Sequence, residues 1–215
     1  KEKDLSAGIS RIIKRVMTEH GRIIFNGNNY SEEWVEEAEK RGLLNLKSTV
    51  DALPLLTSEK NIKLFESQNV FTERELCSRE EIYTETYCRL VNIEAMTMLD
   101  IATEQILPAA IKYKGELVKV AENSIKIGVP ADTETEMATT LARLIGSANQ
   151  KTAALRTALE KAHKTGEHIS GGRCFCDEVL PAMSELRSVC DELELNTAKE
   201  YWPLPSYGDI LFSIY

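Results

Sequence analysis

Residues 72–113 read TERELCSREEIYTETYCRLVNIEAMTMLDIATEQILPAAIKY, and this stretch sets the fold class. Thr72 with Glu75 three residues on is the capping-box pattern, in which each side chain satisfies an orphan N–H at a helix start. Beyond Tyr87, Leu90, Val91, Ile93, Met96, Met98, Leu99, Ile101, Ala102 and Ile106 cover most of the helix circumference. Glu94, Thr97, Asp100 and Glu104 fall together on one narrow strip. A helix apolar nearly all round is one that neighbours bury on several sides. The stretch therefore predicts an all-α chain: an antiparallel helical bundle around a long, Pro-kinked central helix. Pro108 supplies the kink, expected near Gln105 with helix continuing towards Asn123, because an interior proline costs about 3 kcal/mol unless the helix bends or restarts.

Working towards the N-terminus, Ser58 opens a helix that packs through Ile62, Leu64 and Phe65, and Leu46 to Leu56 is irregular, with Pro54 ending any short helix there. Ser31 caps another helix, with Glu32 and Glu33 in its first turn and Gly42 past its end. Arg22-Ile23-Ile24-Phe25 is a short β-like run before the turn Asn26-Gly27-Asn28-Asn29. A lone strand has no partner in a helical chain, so these residues are expected to meet a surface outside it. Leu5, Ile9, Ile12, Ile13, Val16 and Met17 line one face of a first helix that Gly21 stops. The chain opens Lys-Glu-Lys-Asp, not with Met, and reads as part of something longer.

Towards the C-terminus, Gly128-Val129-Pro130 breaks the chain and Thr133 with Glu136 forms a second capping box. Met137, Leu141, Leu144, Ala148, Leu155, Ala158 and Ala162 then follow heptad spacing, interrupted at Lys151 and widened by Ile145 and Leu159. Ser170-Gly171-Gly172 reads as a loop before a last helix carrying Val179, Leu180, Met183, Leu186, Cys190 and Leu193. Ile106-Leu107-Pro108-Ala109 and Val179-Leu180-Pro181-Ala182 echo each other, too briefly to make a repeat. They read as coincidence or as two similar kinks. From Lys199 to Phe212 two prolines force an extended path, and its aromatics would be a liability in water. That tail, 197–215, is expected to dock.

Lys and Arg number 26 against 34 Asp and Glu, a net charge of −8, which argues against binding nucleic acid or anionic membrane. Glu94, Asp100, Glu104 and Gln105 break the most apolar stretch, so it does not read as a membrane span. Five cysteines at irregular spacing fit a reducing cytoplasm better than a disulfide framework. No phosphate-binding glycine loop, HExxH or GxSxG motif is present. His163, His168, Cys174 and Cys176 are the best metal candidates, but their spacing reads as exposed histidines and packing cysteines. The Glu94, Asp100, Glu104 strip lacks the histidines of a di-metal bundle and reads as solvated. Tyr83 and Tyr87 are expected in the core with hydroxyls at its edge. The Asn26–Asn29 turn, which could cradle an anion on its N–H groups, reads as a plain turn.

Three stretches carry a resemblance. RIIFNGNNYSEEW (22–34) with Glu39-Lys40-Arg41-Gly42-Leu43, YCRLVNIEAMTM (87–98) with Ile106–Ala109, and KEYWPLPSYGDILF (199–212) resemble type III glutamine synthetases, in the same order. Asn29 stands where that turn usually has its second glycine, and Asn tolerates positive φ well enough to keep the turn. The resemblance implies a mostly helical C-terminal region appended to a catalytic domain that joins ammonia to glutamate with ATP and Mg2+ or Mn2+. It implies partners too: that catalytic domain and identical subunits of a ring-shaped homo-oligomer. The family's metal, ATP and glutamate residues lie upstream, so no catalytic, cofactor or metal residue is assigned here.

Residues 1–47 are then expected to pack on the catalytic domain, and 48–215 to form the helical domain with its docked tail. The candidate docking residues are Ile23, Phe25, Trp34, Tyr201, Trp202, Tyr207 and Phe212. The expected role is a non-catalytic structural or assembly domain of nitrogen assimilation. The alternative is a free-standing bundle binding a peptide or small molecule between the kinked and heptad helices.

Overall fold

A computed structural model describes residues 4–166 and 168–212, which are all-α with no strand among them. They divide into two compact units, Lys1–Lys47 and Ser48–Tyr215.

In the first unit, α1 (Leu5–His20) starts at Asp4, whose carboxylate accepts from the Ser6 N–H at 3.0 Å. Arg22–Phe25 is not a strand. The chain makes a 3-10 turn over Gly21–Ile23 instead. The backbone oxygens of Arg22 and Ile24 accept from the Arg41 guanidinium, at 2.7 and 3.1 Å, so the segment finds its hydrogen bonds without a sheet. Arg41 follows α2 (Glu32–Lys40). Ser31 precedes that helix, but its hydroxyl donates to Asn28 O (2.7 Å) and does not cap it. The far end closes as a Schellman motif: Leu43 N–H donates to Ala38 O and Gly42 N–H to Glu39 O, both at 2.9 Å, with Gly42 at φ 75°. Asn29 keeps its turn without the left-handed conformation, which Asn69 alone adopts among the described non-glycine residues.

The second unit is organised by the stretch that begins at Thr72. Thr72 Oγ1 accepts from the Glu75 N–H (3.3 Å) and the Glu75 carboxylate accepts from the Thr72 N–H (2.8 Å), the capping box expected. From there helix runs 54 residues as α5 (Glu73–Asp100), a π-helical segment Ile101–Ile106, and α6 (Leu107–Lys126). Smaller elements precede it: α3 (Thr49–Ala52), a 3-10 turn Leu53–Leu55, and α4 (Glu59–Ser67).

Only one face of α5 is buried, through Leu76, Thr84, Cys88, Val91, Ala95 and Leu99. Leu90, Ile93 and Met96 are half exposed, so the apolar circumference does not mean burial all round.

Just before Pro108 the ladder widens from i→i+4 to i→i+5, over Ile101–Ile106. The Leu107 N–H donates to Ala102 O, the last π bond, and the residue without an N–H comes next. A wide turn draws the preceding carbonyls away from the pyrrolidine ring, so the proline fits inside continuous helix. The same device recurs at the echo. After α8 (Ile169–Cys174) comes a π segment, Phe175–Val179, whose last bond runs from the Leu180 N–H to Phe175 O. Pro181 then sits in the first turn of α9 (Leu180–Asn196). The two sequences are two copies of one local solution.

α7 (Asp132–Thr165) packs along α6 and α9 and also touches α5 and α8. It starts before Thr133, so the expected capping box with Glu136 does not form. Its buried stripe is Leu141, Leu144, Ala148, Thr152, Leu155, Leu159 and Ala162. Heptad spacing puts Lys151 and Ala158 at seam positions, yet a straight helix drifts relative to a heptad, and Thr152 and Leu159 turn inward instead. Thr152 donates its hydroxyl to Ala148 O (2.8 Å), and Lys151 reaches Glu185 on α9 at 2.6 Å.

Ser170-Gly171-Gly172 belongs to α8, not to a loop. A Cβ on Gly172 would come within 2.8 Å of Val50 Cγ1, and Thr84 and Cys88 lie just beyond, so glycine lets α8 sit close on α3 and α5. Arg173 fixes the same contact by meeting the Asp51 carboxylate at 2.6 Å. The Ser48 hydroxyl and this guanidinium hold Asp51 below the usual carboxylate range.

Candidate functional site

Leaving α9, the chain turns at Thr197 and passes Tyr201 and Trp202 before its prolines. Tyr201 packs on Tyr113 of α6, ring centroids 5.1 Å apart, with the Lys112 ammonium 5.6 Å from the Tyr201 ring centre. Trp202 lies against the hydrophobic core, its indole N–H buried without a hydrogen-bond partner. The tail then forms a short helix, α10 (Tyr207–Leu211), opened by a capping box between Ser206 and Asp209, with Lys199 on Asp209 at 3.0 Å. Hydrogen bonds from Ser206 and Lys199 bring the Asp209 carboxyl down to about 2. Tyr207 and Phe212, at 85% and 80% exposed, stay in water.

The first unit's candidates separate in the same way. Phe25 and Trp34 pair at 4.8 Å with Arg41 5.9 Å from the Trp34 ring centre, whereas Ile23 points out, 75% exposed.

Trp202 and Leu204 form one wall of a groove of about 490 Å³. It does not lie between the kinked and heptad helices. Its other walls come from the end of α5 (Ile93, Glu94, Thr97, Met98), the first π segment (Ile101, Ala102, Ile106) and α9 (Met183, Arg187, Cys190, Asp191, Glu194). Burial, with the nearby Asp191 charge, pushes the Cys190 thiol up, so it stays protonated at neutral pH.

Of the carboxylate strip, Glu94 stands at this groove while Asp100 and Glu104 are exposed to solvent. A smaller pocket of about 170 Å³ holds His163, whose Nε2 is 2.6 Å from Asn92 Oδ1, beside Cys88, Arg89 and Phe175. Cys174 is buried, Cys176 half-buried and His168 exposed. Among the described residues no three His, Cys, Asp or Glu side chains gather so as to hold a metal ion. Tyr87 packs on the core, and burial together with Cys176 pushes its phenol well above the usual range; Tyr83 is half exposed. Among the described residues no helix is long and apolar enough to cross a membrane.

A mainly helical chain that packs Tyr201 and Trp202 on a bundle beside an apolar groove is the class these features define. The family model of the glutamine synthetase C-terminal domain matches residues 8–125, more than half of the sequence, and the chain belongs to that family. It is 32% identical over 213 residues to a glutamine synthetase of Butyrivibrio fibrisolvens, covering 98% of this chain and 30% of that protein. It is 35% identical over 214 residues to a type-3 glutamine synthetase of Dictyostelium discoideum, covering 94% of this chain and 28% of the relative. A glutamine synthetase of Bacteroides fragilis (strain YCH46) is 29% identical over 212 residues. The chain thus spans about 30% of the length of the curated relatives it matches.

Proposed function

We propose that this chain is a non-catalytic structural and assembly domain of a glutamine synthetase. Its parent would ligate ammonia to glutamate in the cytoplasm with ATP and Mg2+ or Mn2+. The partners would be the parent's catalytic domain and identical subunits in a ring. The observation that carries this reading is the open face of α1. Leu5, Ile9, Ile12, Ile13, Val16 and Met17 lie on one side of that helix and are all between 43% and 79% exposed. A contiguous apolar stripe in water marks a surface made to be covered, and residues 1–47 are the part expected on the catalytic domain.

Two measurements test it. The purified chain should form no glutamine with ATP and divalent metal, and activity would refute the non-catalytic reading. Deleting residues 48–215 from the parent should change its assembled size; an unchanged ring would end the assembly role.

A further inference from the structure

The groove beside Trp202 is built within the second unit and serves none of the roles above. Its walls are largely apolar and pliable, with Met98, Met183, Ile101, Ile106 and Trp202 among them. Its volume, about 490 Å³, falls in the range of small-molecule sites. Part of the wall is the π segment Ile101–Ile106, a kind of helical irregularity that recurs at functional sites.

Charge in the groove is one-sided. Glu94, Asp191 and Glu194 line it with a single cation, Arg187. Arg187 Nε is bound to Asp191 Oδ1 of its own helix at 2.7 Å, and the Asp191 and Glu194 charges both raise its pKa. A negative excess remains beside apolar walls, the setting in which carboxylates hold the ammonium of an organic cation while its apolar body is buried. A second copy is a poor occupant, because each chain carries a net −8 and would bring further negative charge to an acidic rim.

We propose that this groove is a binding site for a hydrophobic organic cation, a small molecule with an apolar body and one ammonium group. The apolar body lies against Met98, Ile101, Met183 and Trp202, and the ammonium lies at the rim by Glu94 and Glu194. Trp202 and Leu204 belong to the tail, so occupancy also holds the tail on the bundle. Trp202 is the right residue to respond, since its indole N–H makes no hydrogen bond that fixes it.

The test uses the whole 215-residue chain with Trp34→Phe, which leaves Trp202 as the sole tryptophan. Decyltrimethylammonium, decyl sulfate and decanol are titrated below micelle-forming concentrations while Trp202 emission is followed. The expected result is saturable binding of the ammonium, about tenfold tighter than the sulfate or the alcohol, with the preference shrinking as salt rises. Glu94→Gln with Glu194→Gln should bring the three probes to within about twofold of one another. Thr97→Tyr, an exposed position on the groove wall, should abolish binding of all three. Should the double variant fail to fold by circular dichroism, Glu94→Gln alone must still reduce the preference. Equal binding of the three probes by the unmodified groove overturns the proposal, as does ammonium binding that survives Thr97→Tyr. So does a solution mass that halves on Thr97→Tyr, which would make the occupant a second copy.

Discussion

Gly171 has no room for a side chain: a Cβ there would lie 1.6 Å from the carbonyl oxygen of Gly166. Backbone cannot step aside as a flexible side chain can, so Gly171→Ala should lose about 3 kcal/mol, read as a fall in melting temperature. Gly146 is the internal control, since nothing lies within 4 Å of its Cβ position in the middle of α7. Gly146→Ala should raise stability by about 0.5–1 kcal/mol. Local sequence could not tell these glycines apart. Gly-Gly is a loop signal by composition, and only the packing of α8 reveals it as a close-approach device. Asp209 gives a pH prediction of definite sign. Its carboxyl is lowered from 3.8 to about 2, so the cap it forms is intact above the unfolded value and is lost as pH falls from about 4 through about 2. The protection of α10 amides, corrected for the intrinsic exchange rate at each pH, should fall over that window and stay flat above it.

At the scale of elements, the two prolines were visible and the π segments were not. Apolar spacing reports which face is buried, and a single turn widened from i→i+4 to i→i+5 changes that spacing too little to read. The echo between residues 106–109 and 179–182 was the available sign, and it gained meaning only when the same bond pattern appeared before both prolines. Since the helix already accommodates Pro108, Pro108→Ala should change stability by less than about 1 kcal/mol. Lys119→Pro, an exposed site in the regular part of α6, should cost about 3 kcal/mol or more. Equal effects in chemical denaturation would show that the π segment does not relieve the first proline. The first unit shows the limit of local reading from the other side. Arg22–Phe25 looks like strand because its residues are β-formers, yet a guanidinium nineteen positions on takes the carbonyls a neighbouring strand would have taken.

For the whole molecule, the all-α class was legible because it rests on long periodic runs. How the tail divides was not. Tyr201 and Trp202 go in and Tyr207 and Phe212 stay out, so Trp202→Ala should lose about 2 kcal/mol in thermal melts while Tyr207→Ser should be neutral within about 0.5. The groove was also out of reach, because its walls come from residues 93–106, 183–194 and 202–204, which no local pattern relates. The paired π segments bear on how such chains can differ in length over descent. One residue lost anywhere in α7 would rotate every later side chain by about 100° and turn its buried stripe outward. One residue lost within 101–106 or 175–179 would instead leave an ordinary α-turn with the flanking faces still aligned. The proline behind it would then clash with the carbonyl four residues back. Homologues one residue shorter at either place should therefore also have parted with that proline.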